Sequence, residues 1–275
     1  VVNIVTFNLT YLNTNSATSF YHMFYACPKL ENLNFNNFVT DKVTNMEWMF
    51  AENIKLQALD LTSFNTQNGT NLNRMFYNCQ SIEELLIPNF NTSKWSGNNA
   101  EHMFYNCQNL KELYLPDTFT LIDNTSTEGM FRECHSIKTI RIPGTFGGEN
   151  LQRVDRMFEK CYLLEELIFP DSFISMKCTN FQFMFWDCNS LKKITQHFNM
   201  TGAFSTTKML ENCFALEEIN TYQNDSGWLF SSVKYCQGMF NHCHSLKSLD
   251  LQNVNFTRAG ENSYSGSPWE GQGND

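Results

Sequence analysis

The sequence predicts an α/β solenoid, a right-handed superhelix of about nine coils of 25–30 residues with a parallel concave sheet and short helical or 3₁₀ turns. Two observations predict it: a Met-Phe pair recurs along the chain, and apolar columns follow each pair at constant offsets. The pairs begin at Met23, Met49, Met75, Met103, Met130, Met157, Met184 and Met239, with Met209-Leu210 as a degenerate copy. Self-similarity at such a period is typical of stacked repeats.

A Leu-x-Leu segment ten to twelve residues after each Met predicts the strand of each coil. Leu85 and Ile87 follow Met75 at these offsets, for example, whereas Gln196 and Thr221 are polar exceptions in later copies. Side chains alternate across a strand, so both apolar residues point to one face. One unit cannot bury that face alone, and stacked units pair their strands as a parallel sheet.

The Met-Phe-x-x-Cys-x-x-Leu segment has spacings of three and four, which favour one helical or 3₁₀ turn facing the same interior. Its Phe residues, with one more in most connecting loops, explain the 25 phenylalanines of the chain. Eight of the ten cysteines share one inward column, and we expect mostly buried, free thiols acting as small apolar filler. Some disulfide bonds remain an alternative. A linear column does not place four sulfurs tetrahedrally, which disfavours zinc.

The repeat columns define the predicted domain organisation. We expect one solenoid over residues 1–256 that starts in the middle of a repeat, as a fragment of a longer chain. Residues 257–275 are polar and rich in Gly and Ser, and we interpret them as a tail or linker.

The repeat unit resembles a known family. Residues 38–50 and 103–116, the second reading Met-Phe-Tyr-Asn-Cys-Gln-Asn-Leu-Lys-Glu-Leu-Tyr-Leu-Pro, look like the BspA-type leucine-rich repeats of bacterial and protozoan surface proteins. The resemblance covers roughly residues 2–256. It implies a curved solenoid at the cell surface or outside the cell, with a role in adhesion to host matrix proteins or to other cells. The family has no shared catalytic residues.

Composition argues against several classes of function. The net charge of −9 disfavours nucleic acid and anionic lipid as partners, and no apolar run of 18 residues suggests insertion into a membrane. The chain has no Gly-rich phosphate loop and no Gly-x-Ser-x-Gly motif. Glu84, Glu112, Glu166 and Glu218 share one column, as expected of a solvated face, and alternation splits His242-Cys243-His244 between core and solvent. We therefore expect no enzyme activity, cofactor or metal.

The residue between the two Leu of each Leu-x-Leu points away from the core and varies freely between copies. At the centre of the chain this column contains Leu86, Tyr114, Arg141 and Ile168. Exposed apolar residues beside Tyr and Arg are typical of a recognition patch. The hypothesis is a binding module for a protein or glycan ligand on another cell or the matrix. The alternative is a structural spacer that presents another domain.

Overall fold

The computed structural model describes residues 3–9, 11–35, 38–121, 123–167, 169, 173, 177–194, 200–219, 233–247 and 249. These residues form a parallel β-solenoid. Its strands are β1 (Ala58–Asp60), β2 (Glu84–Leu86), β3 (Ser96–Gly97), β4 (Glu112–Tyr114), β5 (Asp123–Asn124), β6 (Thr139–Arg141), β7 (Glu166–Leu167), β8 (Lys193–Ile194) and β9 (Glu218–Ile219). In this part of the chain no helix is long and apolar enough to cross a membrane.

Seven strands lie at the predicted Leu-x-Leu segments. The strands of three residues bury the central residue and expose the two around it, and the strands of two residues bury the second residue. All pairings are parallel, but the strands do not form one continuous sheet. Over the described residues β1 pairs with β2, β3 with β5, β4 with β6, and β7 with β8 and then β9. The prediction of a parallel arrangement is confirmed. The sheet itself is interrupted between β2 and β4 and between β6 and β7.

The Met-Phe segment is not a helical or 3₁₀ turn, so that part of the prediction was wrong. No helix occurs in the described residues. The residue before each Met and the third residue after it have positive φ, between 53° and 65°, as in Trp48 and Glu52 around Met49. A left-handed residue every four positions breaks a right-handed helix. We call the residues from three before to three after each Met the Met-Phe turn.

Hydrogen bonds between successive Met-Phe turns form the most regular ladder of the fold. The N–H after each Met, as in Phe50, donates to the Met carbonyl of the next copy at 2.9–3.0 Å, from Phe24 through to Leu210. The left-handed residue three after each Met donates to the next copy at 2.7–3.0 Å, from Ala26 through to Asn212. Both series are unbroken across the nine copies, all of whose turns lie within the described residues. These turns, more than the strands, join the copies.

The core is a stack of phenylalanine rings beneath these turns. The rings of Phe24, Phe50, Phe76, Phe104, Phe131, Phe158 and Phe185 lie nearly parallel, with neighbouring centroids 5.3–5.7 Å apart. All seven are buried. Ring stacking of this kind adds to the free energy of burying each side chain.

Several sequence predictions fall on residues for which the structure gives no description. Ile168, Gln196, Thr221 and the tail at 257–275 lie outside the described residues. The domain boundary at residue 256 therefore stays a prediction.

Candidate binding surface on the strands

The structure places three of the four predicted site residues side by side on the outside of the strands. Leu86 ends β2, Tyr114 ends β4 and Arg141 ends β6. Leu86 is 41% exposed and Tyr114 57% exposed, and Arg141 is exposed as well. We call this side of the molecule, formed by the outward residues of β1, β2, β4 and β6–β9, the strand face.

Tyr114 and Arg141 are adjacent, because their Cα atoms are partners in the β4–β6 register. The Tyr114 hydroxyl donates a hydrogen bond to Glu112 Oε2 at 3.1 Å, and this bond raises the pKa of the phenol. The bond holds the ring along its own strand. Arg141 lies on the neighbouring strand. An exposed aromatic ring beside a guanidinium group is a combination enriched at protein-binding hot spots.

Seven of the eight column cysteines are buried and Cys243 is partly buried, and all ten cysteines of the chain are free thiols. The prediction of a mostly buried column of free thiols is confirmed. They are more than apolar filler, because the thiols donate to buried carbonyls of the preceding copy. Cys79 Sγ donates to the Phe50 carbonyl at 3.1 Å and Cys134 Sγ to the Phe104 carbonyl at 3.1 Å. Burial raises the pKa of both thiols to about 12. They are therefore protonated and poorly nucleophilic at neutral pH.

We expect the native chain to resist alkylation by iodoacetamide at pH 8. A thiol with a pKa near 12 is ionised in only about one molecule in ten thousand at that pH, and burial also blocks access. Intact mass spectrometry should show slow labelling of the native chain and rapid addition of ten groups after denaturation. Rapid labelling of several column cysteines in the native chain would contradict the prediction.

Asn53 replaces Cys in one copy and takes over its hydrogen bonds. Its amide nitrogen donates to the carbonyls of Phe24 and Phe50, at 2.8 and 2.6 Å, and its oxygen accepts from the Cys27 N–H at 3.0 Å. The side chain is fully buried. In the sequence Asn53 is the exception to the cysteine column. In the structure it donates to a Phe carbonyl of the preceding copy, as the cysteine of the next copy does.

The buried carboxylates on the Met-Phe turns each have charged partners. Glu159 is fully buried between Arg132 and Arg156, whose guanidinium nitrogens lie 3.0 and 2.6 Å from its oxygens. Asp155 accepts two bonds from Arg153, at 3.0 and 2.9 Å. Burial raises the pKa of Asp155, and the bonds from Arg153 oppose that shift. These contacts give both carboxylates a structural role.

The His-Cys-His sequence near the end of the described chain does not converge on one point. His242 Nδ1 lies 2.7 Å from Asn212 Oδ1, Cys243 Sγ donates to the Leu210 carbonyl, and the His244 ring stacks on Phe214. Over the described residues, no group of three His, Cys, Asp or Glu side chains is arranged to hold a metal ion.

A polar column four residues before each Met was missed in the sequence. Asn45 Oδ1 accepts a hydrogen bond from the Glu47 N–H at 2.9 Å, and Asn71 Oδ1 accepts one from the Asn73 N–H at 3.0 Å. The equivalent residues are also linked between copies by parallel bridges. Asn and Ser readily make this local bond to the backbone two residues on, which starts the turn. Their recurrence was visible in the sequence.

Family models describe most of the chain. The model of the "BspA type Leucine rich repeat region (6 copies)" matches residues 97–239, more than half of the chain. The chain belongs to the BspA-type leucine-rich-repeat family. Members of leucine-rich-repeat families are generally non-catalytic. A second model, "Mycoplasma protein of unknown function, DUF285", matches residues 2–116. None of the curated proteins matches the chain.

Solved structures of bacterial leucine-rich-repeat proteins are similar to this member of the BspA-type family. A leucine-rich repeat protein from Bacteroides ovatus is 20% identical, with 84% of this chain and 69% of that chain covered and a TM-score of 0.36. The leucine-rich repeat protein of T. pallidum is 18% identical, with coverages of 66% and 85% and a TM-score of 0.39. A leucine-rich cell surface protein from Faecalibacterium prausnitzii is 16% identical, with coverages of 82% and 74% and a TM-score of 0.33.

Proposed function

We propose that this chain is a non-catalytic binding module, at the cell surface or outside the cell, that recognises a protein through its strand face. The observation on which the proposal depends is the row of Leu86, Tyr114 and Arg141, with two large apolar side chains about half exposed in consecutive copies. An exposed apolar patch with a polar rim is typical of interaction sites. Leu86 and Ile168 flank the pair in the sequence and would help to exclude water.

The proposal includes the finer shape of the molecule. A right-handed superhelix of about nine coils with a concave strand face would bring the outward residues of neighbouring strands around one partner. The unbroken hydrogen bonds between nine Met-Phe turns support this count. A stiff spacer is the competing function, and it would need no particular side chains on the strand face.

The test is binding of the whole chain to a panel of immobilised extracellular-matrix proteins, with single variants of the strand face. Tyr114→Ala should weaken binding to a retained matrix protein by at least about 2 kcal/mol, the usual threshold of a hot spot. The free energy of unfolding should change by less than about 0.5 kcal/mol, because the side chain is exposed.

Tyr21→Ala provides the matched control, since Tyr21 is 51% exposed but lies on a Met-Phe turn. Its loss should leave binding unchanged. Equal binding by the Tyr114→Ala variant and the original chain would exclude the strand face as the site. Lost stability in that variant would show that Tyr114 packs structurally.

A further inference from the structure

Charge is distributed unequally along the strand face. In β7–β9 and the residues beside them, acidic and basic side chains of neighbouring copies pair with one another. Lys192 lies 2.6 Å from Glu165, Lys193 lies 3.7 Å from Glu218, and Lys247 lies 2.5 Å from Glu217. This end of the strand face largely neutralises its own charge.

The end that contains Leu86 and Tyr114 has one pair of this kind, Lys111 with Glu83 at 2.6 Å, but it also has carboxylates that form none. Asp60, Glu84 and Glu112 are exposed on β1, β2 and β4, and over the described residues none of the three forms an ion pair. Glu112 accepts only the Tyr114 hydroxyl, and Asp60 accepts the Thr62 N–H at 2.9 Å. Three carboxylates therefore lie beside Leu86 and Tyr114 without forming ion pairs, and Arg141 on β6 is the cation next to them.

A shallow cavity lies at the acidic end of this patch. It has a volume of about 260 Å³ and is lined by Asn34, Phe35, Asp60, Thr62 and their neighbours. Its wall combines a carboxylate and a hydroxyl with an aromatic side chain. A lysine or arginine side chain matches such a cavity, because its methylene stem packs on apolar surface while its charged end meets the acid.

We propose that the partner of the strand face is a basic protein segment. Its apolar side chains cover Leu86 and Tyr114, and its lysine or arginine side chains meet Asp60, Glu84 and Glu112. This inference rests on the proposed binding function and adds the chemistry of the partner. Complementary charge of this kind speeds association and selects between partners more than it adds affinity.

The test uses two synthetic peptides of equal length, one alternating lysine with leucine and the other alternating glutamate with leucine. Fluorescence anisotropy measures the binding of each labelled peptide to the full chain at low and high salt. The lysine peptide should bind, and added salt should weaken it because it screens exposed charges. The glutamate peptide should not bind.

The repeat supplies a matched control for the charge. Glu84→Gln/Glu112→Gln removes two carboxylates beside the patch, and Glu166→Gln/Glu218→Gln removes two from the same column at the other end. Both double variants change the net charge equally. The first should raise the Kd of the lysine peptide about three- to tenfold, because exposed charge pairs each contribute modestly to binding. The second should change it less than twofold.

The outcomes separate the two proposals. Equal losses in both double variants would show that net charge alone attracts the peptide, and they would overturn the inference. So would binding of the glutamate peptide. If Tyr114→Ala abolishes binding while Glu84→Gln/Glu112→Gln does not, the strand face stands and the basic partner fails. If none of these variants alters binding, the strand face itself is not the site.

Discussion

Phe104→Ala is expected to lower the free energy of unfolding by about 3–5 kcal/mol, the usual cost of truncating a buried phenylalanine. Phe104 is fully buried, and its ring stacks on Phe76 at 5.5 Å and on Phe131 at 5.3 Å. Its loss opens a cavity between two rings that the backbone ladder holds at a fixed separation. The surrounding copies therefore have little freedom to collapse into the space.

Urea unfolding followed by circular dichroism measures this effect. Phe104→Leu should cost much less, because it keeps most of the buried volume. Tyr114→Ala removes a similar ring from an exposed position and should lie within about 0.5 kcal/mol of the original chain. A loss below about 1 kcal/mol for Phe104→Ala would mean that the ring stack contributes little to stability.

Asn53→Leu is expected to cost about 3 kcal/mol, because it leaves the Cys27 N–H and the Phe24 carbonyl without their present partner, and each unpaired buried group costs about 1–3 kcal/mol. Leucine has a similar volume, so lost hydrogen bonding rather than a cavity determines the result. The measurement is again urea unfolding.

Asn53→Cys is the informative companion variant. A thiol at this position should donate to the Phe24 carbonyl, as Cys79 does to the Phe50 carbonyl at 3.1 Å. We expect it to lose about 1 kcal/mol, the usual net value of one hydrogen bond. If Asn53→Leu were as stable as Asn53→Cys, the polar bonds of this column would not contribute to stability.

The sequence predicted the buried columns and the strands well, because their period depends on simple alternation. Leu59, Leu85 and Leu113 lie at the centre of three-residue strands and are buried, and Leu86 and Tyr114 are exposed, as period two requires. Exposure alone does not identify a partner. The chemistry of the partner depends on charged side chains from several copies, and these come together only in the folded solenoid.

The Met-Phe turn could not be predicted in the same way. Spacings of three and four suit a helix as well as the observed turn, and the left-handed positions contain residues as different as Trp48, Glu52 and Lys160. Glycine at 129 and 238 and asparagine at 78, 106 and 212 are residue types that signal positive φ, but the residues at positions such as Trp48 and Lys160 are not. The conformation is stabilised by hydrogen bonds to neighbouring copies, which lie 25–30 residues away in the sequence.

The hydrogen-bonded ladder of the Met-Phe turns also gives the molecule a dipole along the stack of copies. Each of its two unbroken series runs N–H to carbonyl from one copy to the next, from the copy of Met23 towards that of Met239. Peptide dipoles aligned in this way add together, as in a helix, whereas strand dipoles in most sheets nearly cancel. The flank formed by these turns therefore has a carbonyl-rich, negative end at Met23 and an amide-rich, positive end at Met239. A charged molecule that approaches this flank meets a field that distinguishes one end of the solenoid from the other.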